Sequence, residues 1–222
     1  YAHPYEVEIN SFQASKSQIC KVLNLVEPTK VSSEAIYVDT FEKLKKMNQH
    51  ILTKSSAVAV DLEHHSYRSF QGFTCLMQCT YIYVCVSPCS TSTLSLYFFT
   101  NSLDHAYFTG TTDDNTDYIV DTIKLRKEME SCNSWMTSPD ILKVLHGADR
   151  DVLWLQRDFG IYVVNMFDTG QAARVLEYPM KSLAYLLKTH CGVTASTRSS
   201  VTPVERFCPS TTLFTSRNVK AG

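Results

Sequence analysis

Ser55-Ser56-Ala57-Val58-Ala59-Val60-Asp61-Leu62-Glu63-His64-His65 is the stretch that decides how this chain is read. From Ala57 to Glu63 it is short and almost wholly apolar, and its length and valine content predict a buried strand. Residues two apart on a strand share a face, so Asp61 and Glu63 would stand side by side where the strand ends. Like charges held that close and away from water repel unless a cation lies between them, and a hard divalent ion, Mg²⁺ or Mn²⁺, suits an all-oxygen site. An isolated Asp-x-Glu more commonly just ends a strand at the surface, and the residues alone leave both readings open.

Working outward, Thr40 predicts the cap of a helix whose Leu44, Met47, Ile51 and Leu52 fall on one face. Phe73 to Val86 reads as a second strand, and Asp117 to Asp121 as a third. Ser138-Pro139-Asp140 has the form of a helix start. Val144 to Ala148 reads as a short strand ending in a turn. An amphipathic helix follows from Asp149, placed as its cap, to Phe159, with Val152, Leu155 and Phe159 on one side and Gly160 as the stop. Tyr162 to Phe167 is β-rich, and 171–176 and 182–189 are helical. Paired strands followed by alternating strands and helices predict an α/β domain with a mixed sheet.

A third acid is needed to complete a metal site. Asp151, in the first turn of the helix after His146-Gly147-Ala148-Asp149-Arg150, could serve, since the positive helix end favours an anion there. Simple helix stabilisation explains it equally well.

Composition narrows the function classes. Across 222 residues, 21 Lys+Arg against 22 Asp+Glu leave a net charge of −1, so any phosphate must be met locally rather than by a global field. A hydrophobic share of 44% supports a core, and no apolar run is long enough to span a bilayer. The chain opens on Tyr1 without a basic-then-apolar leader, which predicts a fragment of an intracellular protein with reduced thiols. Cys75-x3-Cys79-x5-Cys85-x3-Cys89 offers four thiols, spaced more loosely than structural zinc pairs. Arg68, Lys143, Arg150, Arg157, Arg174 and Lys181 are candidate phosphate contacts.

Val60 to Phe70, Thr74 to Gln78, His146 to Gly160 and Tyr162 to Thr169 together resemble the RNase D-like branch of the DEDD exonucleases, and within it the exoribonuclease subunits of the nuclear exosome. The resemblance implies a ribonuclease H-like mixed sheet flanked by helices and 3′→5′ hydrolysis of RNA with two Mg²⁺ or Mn²⁺ ions. It makes Asp61, Glu63 and Asp151 the catalytic metal ligands; His64, His65, Arg68, His146 and Arg150 are the candidate RNA contacts beside them. It also implies single-stranded RNA 3′ ends and the exosome core with its cofactors as partners, no membrane, and a nuclear, nucleolar setting.

Two departures from that family stand out. Its third motif, Tyr-x-x-x-Asp, is absent: no Tyr has an Asp four residues on, and past Asp168 the only acids are Glu177 and Glu205. Some thirty residues without family character, 79–108, separate two strands that a short turn would ordinarily join, and from Ser69 to Leu103 there is no Asp, Glu, Lys or Arg. The expected organisation is an N-terminal arm over 1–36, an exonuclease domain over 37–191 containing this insertion, and an aperiodic, disordered tail over 192–222. The same features admit a catalytically impaired module that binds RNA or the exosome, and a DNA-directed exonuclease of the same fold.

Overall fold

Residues 2–15, 18, 29–30, 35–66, 70–82, 107–108 and 116–191 are described by the structure, a computed structural model. The strands are β1 (Thr29–Lys30), β2 (Ile36–Val38), β3 (Ala57–His65), β4 (Phe73–Ile82), β5 (Tyr107–Phe108), β6 (Asp117–Asp121), β7 (Leu142–Leu145) and β8 (Met166–Asp168). The helices are α1 (Glu6–Ser11), α2 (Phe41–Lys54), α3 (Asn133–Met136, entered by a 3₁₀ turn at Met129–Cys132), α4 (Asp149–Phe159), α5 (Thr169–Val175) and α6 (Leu183–Cys191). Six strands form one sheet in the order β2-β6-β4-β3-β7-β8, with β3–β4 and β4–β6 antiparallel and the other pairs parallel. The mixed α/β architecture expected from the strand pattern is the one observed.

Alternation along β3 sorts its two faces. Val58, Val60 and Leu62 enter the larger core, where they meet Leu44, Met47 and Ile51 of α2, Trp135 and Met136 of α3, and Leu155 and Phe159 of α4. Asp61 and Glu63, between them in sequence, therefore point to the opposite face. Thr40 caps α2 as expected, its hydroxyl accepting from the Lys43 N–H. Leu52 departs from the expected apolar face: it is 47% exposed, and buried Asn48 takes the inward position. Asn48 is tolerated because its carboxamide oxygen accepts from Trp135 Nε1 at 2.9 Å and its amide nitrogen gives to Ser131 Oγ at 3.0 Å.

Several expectations are corrected. Ser138-Pro139-Asp140 starts no helix; it is a bend two residues before β7, and its carbonyls are claimed by side chains instead of a helical ladder. Pro139 O accepts from Asn165 Nδ2 at 2.7 Å and Ser138 O from Lys143 Nζ at 2.7 Å. The strand expected over 162–167 begins only at Met166, because Tyr162 N–H is spent on Asn133 Oδ1, Val164 N–H on Met136 O, and Asn165 adopts φ +58°. β4 continues past Cys79, and Cys79 and Thr80 pair with Tyr118 and Asp117. Residues 83–86, most of 79–108 and the tail 192–222 lie outside the described residues.

Lys143 is not a phosphate contact. It is fully buried in β7, and its Nζ donates to the carbonyls of Ile141, Ser138 and Trp135 at 2.6, 2.7 and 3.4 Å. Burial drags its ammonium down to about 7, against the pull of Asp140. Replacing it with the similarly shaped Met would orphan those carbonyls. Lys143→Met is expected to cost about 2–3 kcal/mol of unfolding free energy, measured by urea titration.

Candidate active site

The two β3 carboxylates sit where the ladder slips. Asp61 lies opposite Gln78 and Glu63 opposite Leu76, but His64 lies opposite Thr74, so Cys75 is the extra residue of a β-bulge. A bulge re-aims side chains and tightens the twist. Cys75 joins Leu76 and Ile119 in a small apolar cluster, and His64 stacks face to face on Trp154 of α4, ring centroids 4.0 Å apart and planes 6° off parallel. Gly72, at φ +65°, leaves room for that imidazole: a Cβ there would run into the His64 ring and come within 2.7 Å of the His65 carbonyl. Gly72→Ala is accordingly expected to displace His64 and separate the stack, read out as a change in Trp154 fluorescence together with weaker binding of single-stranded RNA.

Helix α4 brings the third acid. Asp151 is buried in its first turn, and Asp61, Glu63 and Asp151 lie close enough to repel one another. Burial first, then the Asp151 and Glu63 charges, pushes Asp61 up to about 8. Burial, then the charges of Asp168 and Glu63, pushes Asp151 up to about 6, and burial raises Glu63. Three carboxylates driven upward in this way form a centre that a hard cation would relieve, and the donors are all oxygen. Among the described residues no group of three His, Cys, Asp or Glu gathers tightly enough to hold a metal unaided. The trio thus fits a divalent ion in charge and donor chemistry without forming a closed cage.

Asp149 is not the helix cap. Ala148 occupies that position, and no side chain caps the helix from it. The turn is held from outside by Asp168, whose Oδ1 accepts from the Gly147, Gly170 and Gln171 N–H groups at 2.8, 2.7 and 3.2 Å and whose Oδ2 accepts from Ala148 N–H at 2.9 Å. Burial would raise Asp168, but these four donors hold it below the usual carboxylate range.

The remaining expected residues divide. His64 and Arg150 are neighbours of the trio, and burial followed by the Arg157 charge keeps His64 below its ordinary value, with Asp158 opposing and His65 and Arg150 adding to the depression. His65 rests at a tilt on Phe73, ring centroids 5.5 Å apart. His146 closes the turn after β7, its Nδ1 paired with Thr169 Oγ1 at 2.8 Å. Arg68 lies outside the described residues. Arg157 is engaged by Asp158 and by the Gln71 and Gly72 carbonyls, while Arg174 and Lys181 lie exposed. Of the four zinc-spaced cysteines, Cys75 and Cys79 are buried, and Cys85 and Cys89 lie outside the described residues.

Three residues of this neighbourhood escape a reading of the sequence. Trp154 stands three positions after Asp151 and so shares its helix face, a spacing that could have flagged it. Asp168, followed by Thr169-Gly170, has the form of an N-cap. Gln78 gave no signal, because its meaning depends on which strand lies beside it.

Comparison with known proteins bears on the family and the fold. A family model described as 3′-5′ exonuclease matches residues 100–210, half of the chain; Asp151 falls inside that match and Asp61 and Glu63 precede it. The chain is 39% identical over 193 residues to "Exosome complex component 10" of Homo sapiens, covering 87% of this chain and 18% of that protein. It is 38% identical over 190 residues to "Exosome complex exonuclease RRP6" of Saccharomyces cerevisiae, covering 85% and 21%. The chain thus spans about a fifth of the length of these curated relatives. Among solved structures, the catalytic core of RRP6 from Trypanosoma brucei superposes with a TM-score of 0.67 at 33% identity, over 88% of this chain and 45% of that one. The six-stranded mixed sheet flanked by helices is therefore that of a ribonuclease H-like fold, and the chain belongs to the 3′-5′ exonuclease family.

Proposed function

We propose that this chain is a 3′→5′ exoribonuclease domain that removes nucleotides from single-stranded RNA 3′ ends, in exosome-linked nuclear and nucleolar RNA processing and degradation. The observation that carries the reading is the close-set trio of carboxylates, Asp61 and Asp151 buried and Glu63 half-buried. These three would hold Mg²⁺ or Mn²⁺. When bound there, such ions supply an acidified water and charge to offset the developing negative oxygens of phosphate hydrolysis.

The chain's own groups have separable tasks. Asp61 and Glu63 present oxygen donors from a stretch of β3 paired with β4, and Asp151 presents a third from a helix end. The His64–Trp154 stack offers an aromatic surface beside the carboxylates, suited to an unpaired terminal base. Arg150, exposed near His64, is placed to meet the RNA backbone. The relatives are named as exosome components, and in this chain exosome partners would bind through the N-terminal arm and the domain surface.

A second reading, a module that binds RNA without cutting it, is favoured by one feature: Tyr-x-x-x-Asp is missing, and with it a water-orienting hydroxyl and a fourth acid. A 5′-labelled single-stranded RNA incubated with the chain and Mn²⁺ separates the two. Stepwise shortening that EDTA stops supports the exoribonuclease, binding without shortening supports the module, and equal shortening of DNA would shift the substrate class.

A further inference from the structure

Two buried side-chain polar atoms among the described residues lack a hydrogen-bond partner: Ser55 Oγ, at the end of α2, and Gln78 Nε2. Gln78 is the informative one. It lies in the middle of the sheet, 8% exposed, directly opposite Asp61 on one side and Ile119 on the other. Ile119 is buried hydrocarbon and can accept nothing.

A buried amide donor without an acceptor costs about 1–3 kcal/mol, a penalty that Leu or Met at the same position would avoid. The nearest cross-strand neighbour of suitable chemistry is the Asp61 carboxylate. Directly opposed strand residues have Cβ atoms about 4.5–5.5 Å apart, so a glutamine can carry its terminal amide over the facing aspartate by rotation about its side-chain bonds. Carboxylates that ligate metal are themselves commonly held by such outer hydrogen bonds.

We propose that Gln78 is a positioning residue for Asp61: its amide N–H donates to an Asp61 carboxylate oxygen when Asp61 serves as a metal ligand, fixing the orientation of that carboxylate. The inference rests on the metal-site reading above and adds a residue to it. It acts through Asp61 and touches neither RNA nor ion.

The test measures Mn²⁺ uptake by the EDTA-stripped full chain, by titration calorimetry, in parallel with thermal melting in EDTA. Gln78→Met is expected to weaken Mn²⁺ binding about tenfold while leaving the EDTA melting point unchanged or raised. In an Asp61→Asn background it should change Mn²⁺ binding no further. Gln78→Asn, which keeps the amide but withdraws its reach, should reproduce the loss and decides the matter if the Met variant fails to fold. Mn²⁺ binding within roughly twofold of the parent in the folded variant overturns the proposal. So does a loss confined to RNA binding, which would make Gln78 a substrate contact. No Mn²⁺ uptake by the parent chain would overturn the metal-site reading and this one together, whereas uptake that Gln78→Met leaves intact removes only this one.

Discussion

Asp61→Asn is expected to abolish Mn²⁺-dependent shortening of RNA while making the metal-free chain more stable. The two effects have one cause. Asp61 is buried between the charges of Asp151 and Glu63, and its folded pKa is about 8, above the ordinary carboxylate value of about 4. A carboxyl with a raised folded pKa favours folding below its unfolded pKa and loses that contribution as pH climbs through the folded pKa. The metal-free chain should therefore lose stability from about pH 4 to about pH 8, with Asp151 at about 6 and the raised Glu63 steepening the fall. Asparagine keeps the shape, carries no charge at any of these pH values and flattens the slope. Near pH 8 the variant should melt roughly 5 °C or more above the parent in EDTA, by differential scanning calorimetry. Added Mn²⁺ should stabilise the parent and leave the variant nearly unmoved. A variant that melts lower in EDTA, or a parent whose stability does not fall with pH, would show that the carboxylates do not burden one another as the geometry requires.

Much of this arrangement is legible in the chain because it depends on local rules. The apolar run ending in Asp61 and Glu63 becomes β3, Asp117 to Asp121 becomes β6 with the expected bounds, and Asp149 to Phe159 becomes α4, stopped by Gly160 at φ +64°. Each depends on period, cap and stop residues within a dozen positions. The failures have the opposite character. Ser138-Pro139-Asp140 looks like a helix start until Lys143 and Asn165 take its carbonyls, and those two reach it through the β7–β8 pairing. Lys143 reads as a surface cation until the strand places it inside. Asp149 reads as a cap until Asp168, nineteen residues later in the chain, supplies the acceptors from another element. Asp61 and Glu63 could be paired from sequence alone, but their meeting with Asp151 joins a strand end to a helix end, and no local spacing encodes that. The bulge at Cys75, which accompanies the stacking of His64 on Trp154, is likewise a property of two strands in register.

Asp168→Ala is expected to be the most destabilising of these substitutions and to loosen the candidate site from a distance. One carboxylate here serves two chain segments: Oδ1 ties the Gly147 amide to the start of α5, and Oδ2 holds the Ala148 amide at the start of α4. Hydrogen bonds to a charged acceptor contribute more than neutral ones, and a truncated side chain leaves several N–H groups competing for water in a crowded turn. Shared acceptance makes the contributions non-additive, so a loss of about 3–5 kcal/mol is expected in urea unfolding. Asn at this position retains an acceptor for the three Oδ1 bonds but turns an NH₂ toward the Ala148 donor, so Asp168→Asn should fall between the parent and Ala. The site consequence follows from where α4 begins: Asp151 lies three residues beyond Ala148, and a frayed first turn lets its carboxylate drift from Asp61 and Glu63. Mn²⁺ affinity measured at a temperature where the variant remains folded should drop in the same order, parent above Asn above Ala. A folded Asp168→Ala chain with undiminished Mn²⁺ affinity would mean that α4 is held in place by its buried Leu155 and Phe159 alone, and that the carboxylate clamp stabilises the turn without setting the position of Asp151.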